Sequence, residues 1–280
     1  MFGLRPQDEP FHLVHYLAIA SCIAVVEPDE VIVHCEEVPY GVYWDLIRPQ
    51  VTLHRVTRRP EVDAVAYDPS MARYLYAHHA DFVRLDALHE WGGLYADIDT
   101  LFLAPPPAGC WDAPATIGLE ADVRDPHTGH PRASASNALL LAEPGSAFVA
   151  EWRRQMPAAL DGTWSAHSCF LGHDLARAMP DAVRIEPRRT FHHFAPTPDD
   201  LRALLEERVD DLAGIASVHL MAHLWWDDAR RDFSRVHAHQ IDDPWVRHTD
   251  STYAIAARPH LPALDALGPP FGAPFGAPVR

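Results

Sequence analysis

The 280-residue sequence contains no lysine, so all 23 of its Lys and Arg residues are arginine. Any mechanism that requires a catalytic lysine is therefore excluded. Positive charge is scarce overall, because 39 acidic residues leave a formal net charge of -16. This balance argues against nucleic-acid binding, which is driven by the neutralisation of phosphates. An acidic protein that binds a phosphorylated ligand needs a local cation, either an arginine or a metal ion.

Cysteines and long apolar runs are also few. The four cysteines form no C-x-x-C pair, which favours reduced thiols in the cytoplasm over a disulfide or zinc framework. The apolar segment 11–26, FHLVHYLAIASCIAVV, contains two histidines and is too short to span a membrane. No charged region precedes it, as a signal peptide would require. We therefore expect a cytoplasmic protein without a transmembrane segment, and leave open a peripheral association with a membrane.

The composition is that of a soluble globular protein, with 48% hydrophobic and 22% charged residues. A chain of this length can bury the core of one large domain, which we predict to span residues 1–257. Residues 258–280 are rich in proline and glycine and contain FGAP twice, so we predict a flexible tail there.

Helical and strand patterns alternate along the first hundred residues, which favours an α/β fold with a parallel-rich sheet covered by helices. The opening MFGL is interpreted as the end of a strand whose beginning is missing. Segment 161–174 shows no clear periodicity. Helices are predicted at 11–26, 41–49, 69–91, 145–158 and 198–208, and strands at 30–37, 51–56, 93–99, 115–120 and 137–143.

Two acids, Asp97 and Asp99, lie one residue apart in the predicted strand 93–99. In a strand, residues i and i+2 share a face, so both carboxylates can point at one ligand. Hard oxygen donors of this kind suit Mg²⁺ or Mn²⁺, which also take phosphate oxygens of a substrate as ligands. A lone D-x-D pair is far more often two acids on a solvated strand end, so its context must decide.

The stretch YADIDTLF also fits the signature of haloacid dehalogenase-type phosphatases, an apolar strand followed by D-x-D-x-T. In those enzymes the first aspartate is a nucleophile and the second a general acid. They usually use a lysine as well, which this chain lacks, and their motif normally ends the first strand of the domain. The phosphatase is kept as the weaker alternative.

A longer pattern surrounds the two acids, D-x-x-R followed by G-G-x-Y-x-D-x-D. It resembles the core of the DXD-containing sugar-binding glycosyltransferases, which include bacterial polysaccharide-synthesis members, yeast initiating mannosyltransferases, α-1,4-galactosyltransferases and the glucosyltransferase domains of clostridial toxins. The resemblance extends, more weakly, over most of residues 1–230. It implies a GT-A, Rossmann-like fold with a single mixed sheet flanked by helices. The matching residues are Asp81, Arg84, Leu88, Gly92, Gly93, Tyr95, Asp97 and Asp99.

The resemblance also implies roles for individual residues. Asp99 would ligate Mn²⁺ or Mg²⁺, and Asp97 would contact the ribose or the sugar. Asp81 and Arg84, which share a helix face, would bind sugar hydroxyls, and Arg84 would also reach the diphosphate. A plain intrahelical salt bridge is the alternative for this pair. The residues expected to act in catalysis are therefore Asp97, Asp99 and Arg84.

Further donor contacts are expected from three positions. Gly93 allows close backbone approach, Tyr95 packs beside the nucleotide or belongs to the core, and Asn137 contacts the sugar or forms a turn. Glu120 and Asp122 follow a predicted strand and are interpreted as solvated loop acids.

Histidines offer two candidates for a further metal ligand. By resemblance, a histidine near the end of the catalytic domain closes the metal site, and both His219 and His223 fit. They are four residues apart and share a face in a helix as well as in a strand, so periodicity does not choose between them. We favour His219. No metal role is assigned to the neighbouring histidines His78 and His79, or to His192 and His193. Trp225 and Trp226 are interpreted as packing residues.

The function implied by the resemblance is transfer of a sugar from a nucleotide sugar, expected to be a UDP-sugar, with retention of anomeric configuration. The acceptor is a glycan, a lipid-linked glycan, a small molecule or a protein. A catalytically silent, glycosyltransferase-like binding module is a second alternative to the enzyme.

Overall fold

The computed structural model describes residues 9–69, 75–226 and 234–267. The predicted strand end MFGL and both FGAP repeats lie outside these ranges. The strands are β1 (Ile32–Cys35), β2 (Thr52–Arg55), β3 (Gly93–Ala96), β4 (Thr100–Phe102), β5 (Ala115–Leu119), β6 (Val123–Arg124), β7 (Pro131–Arg132), β8 (Ala135–Ala142), β9 (Arg184–Glu186) and β10 (Ser217–His219). The helices are α1 (Leu13–Val26), α2 (Val42–Ile47), α3 (Pro60–Asp63), α4 (Leu75–Trp91), α5 (Ala147–Ala159), α6 (Leu171–Ala178), α7 (Arg188–Phe191), α8 (Pro198–Leu205), α9 (Asp243–His248) and α10 (Thr252–Ala257).

The α/β class is confirmed, and so is the alternation of α1, β1, α2 and β2 at the start of the chain. β1 and β2 are parallel, with Ile32 opposite Thr52. The helix α1 is apolar around most of its circumference because it is enclosed, packing against α2 and β4. Among the described helices, none combines the length and the apolar character needed to cross a membrane.

The central sheet has the strand order β3-β8-β5-β9. β8 runs antiparallel to both of its neighbours, whereas β9 is parallel to β5. Every residue of β8 is buried, which explains why its sequence ASNALLLA is almost continuously apolar. This strand therefore forms the middle of the domain, and residues at its start reach the candidate site described below.

The single mixed sheet is not confirmed, because the described strands form four separate sheets. β1 pairs with β2, β4 with β10 and β6 with β7, beside the central sheet. The strand predicted at 93–99 is wrong beyond Ala96, since a turn follows in which the Thr100 amide donates to the Asp97 carbonyl at 3.0 Å. Aspartates favour such turns because they bond readily to nearby groups. After this turn the chain leaves the central sheet, and its next strand, β4, pairs with β10.

The segment without clear periodicity, 161–174, contains a π-helical turn, Ala166–Phe170, that continues into α6. Trp152 of α5 holds this turn in place through a hydrogen bond and through packing. Its buried indole donates to the carbonyl oxygen of His167 at 3.0 Å, and its ring lies directly against Gly172. Two successive helical geometries within thirteen residues account for the lost sequence period.

The predicted tail begins with residues that contact the domain. Residues 258–260 and 264–267 form short 3-10 turns, and the Arg258 guanidinium donates to the carbonyls of Val246 and Thr249 at 3.1 and 2.7 Å. The domain boundary at residue 257 remains a prediction.

Gly172→Ala is expected to destabilise the protein by about 1–3 kcal/mol, because the new Cβ would lie 2.5 Å from the Trp152 ring. In a helix with free space the same change would instead stabilise by up to about 1 kcal/mol. Denaturant unfolding measures the difference. Gly109→Ala is the control, since its Cβ meets only the far end of the Arg184 side chain. A neutral or stabilised Gly172→Ala protein would contradict the packing of Trp152 against this helix.

Candidate functional site

The two acids of the D-x-D motif lie in the turn between β3 and β4 rather than on a strand face. The Asp97 amide donates to the carbonyl of Ala138 in β8 at 2.8 Å, and the Asp99 carbonyl accepts from the Leu220 amide at 3.1 Å. The turn is thus tied to the central sheet on one side and to the segment after β10 on the other. Backbone hydrogen bonds therefore fix the position of the two acids, and not the shared strand face that the sequence predicted.

His219 lies beside both acids. Its Nε2 is 3.1 Å from Asp99 Oδ1 and 3.7 Å from Asp97 Oδ2. The antiparallel pairing of β10 with β4, which sets His219 opposite Thr100, brings the imidazole to this turn. Each of the three residues offers one ligand atom, and these atoms all lie within 4.8 Å of one another. This is a chemically suitable donor set for a divalent cation.

The electrostatics of this triad are those of an ion pair. Burial would raise the pKa of Asp99, but the neighbouring His219 and a hydrogen bond from the Ala222 amide at 2.8 Å hold it below its usual value. Burial would likewise lower the pKa of His219, yet Asp99 raises it. A positive charge is therefore stabilised at the position where the carboxylates converge.

Beneath the triad, Asp81 and Arg84 form a buried ion pair. Their side chains are 8% and 4% exposed, and Arg84 Nη2 lies 3.0 Å from Asp81 Oδ1. The Asn137 amide also donates to Asp81 Oδ1, at 2.7 Å. The intrahelical salt bridge expected as an alternative is therefore formed, but in the interior, where a charge without a partner is costly.

Arg84 connects this pair to the D-x-D turn. Its Nη2 lies 3.4 Å from Asp97 Oδ1, and its Nη1 donates to the Asn137 carbonyl at 2.5 Å. The guanidinium also lies over the Tyr95 ring, 4.7 Å from its centroid. The Tyr95 hydroxyl in turn donates to Asp97 Oδ1 at 2.8 Å. Tyr95 is thus a buried residue that also orients one of the acids.

The charge states of these groups follow from their partners. Burial acts to raise the pKa of Asp81, but Arg84 and a hydrogen bond from His167 outweigh it and leave that pKa lowered. Burial opposes the charge of Arg84 as well, and Asp97, Tyr95 and Asp81 together raise its pKa above its usual value. The pair therefore stays ionised.

His167 was not identified from the sequence. Its Nε2 lies 2.9 Å from Asp81 Oδ2, and its side chain is fully buried. It belongs to the π-helical turn within the segment that shows no periodicity, 86 residues away from its partner along the chain. No sequence signal marks it, since its position depends on tertiary packing alone.

Other expectations for the site are corrected by the structure. Asn137 lies within β8, so the turn alternative is wrong. Glu120 is half-buried and accepts from the Ser134 hydroxyl at 2.6 Å, and burial raises its pKa, so its interpretation as a solvated loop acid is also wrong. Asp122 is exposed, as expected. Gly93 begins β3 and lies at the opposite end of that strand from the acids.

One further histidine, His192, lies next to the triad, edge-on to His219 with ring centroids 6.4 Å apart. His223 stacks on Trp164 with ring centroids 4.8 Å apart, and burial lowers its pKa to about 4. Within the described ranges, the triad is the only group of three or more His, Cys, Asp or Glu residues close enough to share an ion. Trp225 and Trp226 are packing residues, with indole nitrogens that donate to the Leu220 carbonyl and the Glu9 carboxylate.

Comparison with known proteins identifies the family. Residues 19–118 match the glycosyltransferase sugar-binding region containing the DXD motif. Glucan organizing enzyme 1 of Cryptococcus neoformans var. grubii is 28% identical over 272 residues, which are 95% of this chain and 70% of that protein. The chain therefore contains the sugar-binding region of the DXD-containing glycosyltransferases.

One solved structure, PaToxG glycosyltransferase, is 13% identical with a TM-score of 0.39. The alignment covers 61% of this glycosyltransferase and 66%, just under two thirds, of that chain. The matched family region contains Asp81, Arg84, Asp97 and Asp99, whereas His219 lies beyond it.

Arg84→Met is expected to destabilise the glycosyltransferase by about 3–5 kcal/mol, the usual cost of leaving one partner of a buried pair uncompensated. The loss should shrink as pH falls toward about 3.9 and below, because a protonated Asp81 needs no counter-charge. Denaturant unfolding at several pH values measures both effects.

Arg202→Met is the matched control, because Arg202 and Asp199 form a pair of the same i,i+3 spacing with side chains 50% and 93% exposed. Its removal should change stability by about 0.5 kcal/mol or less. Equal effects of the two substitutions would show that burial adds nothing to the Asp81–Arg84 pair.

Proposed function

We propose that this glycosyltransferase moves a sugar from a nucleotide sugar, most suitably a UDP-sugar, to an acceptor on a GT-A type scaffold. The observation that carries the proposal is the convergence of Asp97, Asp99 and His219 within a family defined by its DXD motif. Asp99 and His219 are the proposed ligands of a divalent cation, and Asp97 faces the ribose or sugar from the other side of the turn.

The charge balance of the site supports a requirement for a cation. Arg84 is buried between Asp81 and Asp97, so its positive charge is already shared by two carboxylates. Asp99 adds a further negative charge, and the whole chain carries -16. A nucleoside diphosphate approaching this surface would be repelled unless a cation came with it. The local cation that the composition demands is therefore proposed to be a metal ion rather than Arg84.

The donor set favours manganese over magnesium. Carboxylates suit both ions, but an imidazole ligand suits the transition metals better. When bound, the ion would neutralise the diphosphate and act as a Lewis acid on the leaving group. The proposed donor contacts come from Asp81, Arg84 and Asn137 at the floor of the site. An ionised Asp81 accepts about four hydrogen bonds, so its three contacts with described residues leave one for a sugar hydroxyl.

The stereochemistry and the acceptor are also proposals. Retention follows from the resemblance to retaining enzymes, with substitution on the face that the diphosphate leaves and the diphosphate helping to deprotonate the acceptor. The name of the Cryptococcus relative refers to glucan. It supports a carbohydrate acceptor, and a cytoplasmic location with access to a membrane-bound glycan would suit such a substrate.

Release of UDP from a panel of UDP-sugars with Mn²⁺ tests the proposal. The unchanged protein should hydrolyse at least one donor slowly without an acceptor, and a chelator should abolish this activity. Asp99→Ala should lower turnover by about 100-fold or more, because even residues that only support a metal ligand typically contribute 10–100-fold. Asp112→Ala is the control, since Asp112 is an exposed acid away from the site.

Each contrary outcome is distinct. Full activity of Asp99→Ala would remove that residue from the metal site. Binding of UDP with Mn²⁺ but no turnover of any donor or acceptor would favour the silent binding module. Release of phosphate from a phosphate ester with Mg²⁺ would favour the phosphatase. Thermal unfolding of both variants shows whether the fold is intact.

A further inference from the structure

His167 makes a contact that the family motif does not include. Its Nε2 lies 2.9 Å from Asp81 Oδ2, while the Asn137 amide and Arg84 occupy Oδ1 of the same carboxylate. The two oxygens of Asp81 are thus held from opposite directions. Removal of His167 would leave Oδ2 without a donor among the described residues, so that only the contacts at Oδ1 would orient the carboxylate.

The state of the imidazole follows from its surroundings. Asp81 is an ionised acceptor, so Nε2 of His167 must carry the proton and donate it. The other ring nitrogen, Nδ1, is buried and has no hydrogen-bond partner among the described residues. A proton there would leave a buried N–H unsatisfied, which is costly. His167 therefore donates from Nε2, and this bond to Asp81 orients the ring.

The ring is also held firmly in place. His78 packs edge-on against it with centroids 4.5 Å apart, and Phe82 stacks on it at 6.4 Å. The backbone of the same residue is anchored by the Trp152 indole, whose ring requires a glycine at position 172. A π-helical turn of this kind, inserted before a regular helix, is often found at functional sites. The donor to Asp81 is thus preorganised by packing on several sides.

We propose that His167 is a positioning residue that orients Asp81 and, through it, Arg84 and Asn137 for recognition of the sugar part of the donor. This inference rests on the proposed function, because it assumes that these side chains face the sugar. His167 itself touches no reacting atom. It acts by fixing which lone pair of Asp81 remains for a substrate hydroxyl.

Two substitutions at this position separate positioning from simple packing. Glutamine places a side-chain N–H at about the reach of the imidazole Nε2, whereas leucine fills space without a donor. His173→Gln is the matched control, because His173 follows in the same helical segment and pairs with the exposed Asp174 rather than with a residue of the site. Steady-state kinetics give kcat and KM for the UDP-sugar, and calorimetry gives the Kd of UDP with Mn²⁺.

His167→Leu should lower kcat/KM for the UDP-sugar by about 10–100-fold, while the Kd of UDP changes by less than about twofold because UDP lacks the transferred sugar. His167→Gln should recover most of that loss, and His173→Gln should behave like the unchanged protein. A glutamine variant as impaired as the leucine variant, or equal losses for UDP and UDP-sugar, would overturn the positioning role.

A double-mutant cycle measured by thermal unfolding tests the contact between His167 and Asp81 without any measurement of turnover. Thermal unfolding of His167→Leu, Asp81→Asn and the double variant should give shifts that are not additive, because the two side chains share one hydrogen bond. Additive shifts would overturn the proposed contact. If the unchanged protein turned over no UDP-sugar at all, the proposed function would fail, and the cycle would still decide whether His167 holds Asp81.

Discussion

Arg84 is the group on which the rest of the site depends. Buried in α4, it contacts the carboxylates of Asp81 and Asp97 and the carbonyl of Asn137, so one cation links a helix, the D-x-D turn and the central strand β8. Removing so much charge from water is costly, and the cost is offset only because every charged group in the cluster has a close partner. The arrangement is therefore rigid and can hold acids in the geometry that a ligand requires.

The charge balance of this cluster also determines which acid has no arginine beside it. With Arg84 shared between two acids, Asp99 pairs instead with His219, and the neighbouring Asp99 carboxylate raises the pKa of that imidazole. The Asp99 and His219 side chains are each only 12% exposed, so their interaction is weakly screened by solvent. A divalent ion would take over the role of that positive charge and bring enough charge to accept a diphosphate as well. Without a substrate these acids are stabilised by protein partners, and when a donor binds they would take part in the proposed chemistry.

Much of the architecture could be predicted from the sequence because its signals are local. The apolar run of α1, the glycine that ends α4 at a φ of +67° and the continuous apolar strand β8 each specify their own structure. The D-x-D turn could not be predicted in this way, since the pattern GLYADID favours a strand and only pairing with β10 breaks it. His167 and the buried state of Glu120 were missed for a related reason. Their surroundings are built by segments that are distant in sequence, and no period or motif encodes such contacts.

The central proposal is that Asp99 and His219, beside Asp97, bind a divalent cation. Pulsed electron paramagnetic resonance of Mn²⁺ bound to the protein, with UDP present, detects nitrogen nuclei that coordinate the ion directly. We expect coupling to one imidazole nitrogen that disappears in His219→Ala and persists in His223→Ala. Bound Mn²⁺ without any imidazole coupling, or coupling that is lost only in His223→Ala, would contradict it.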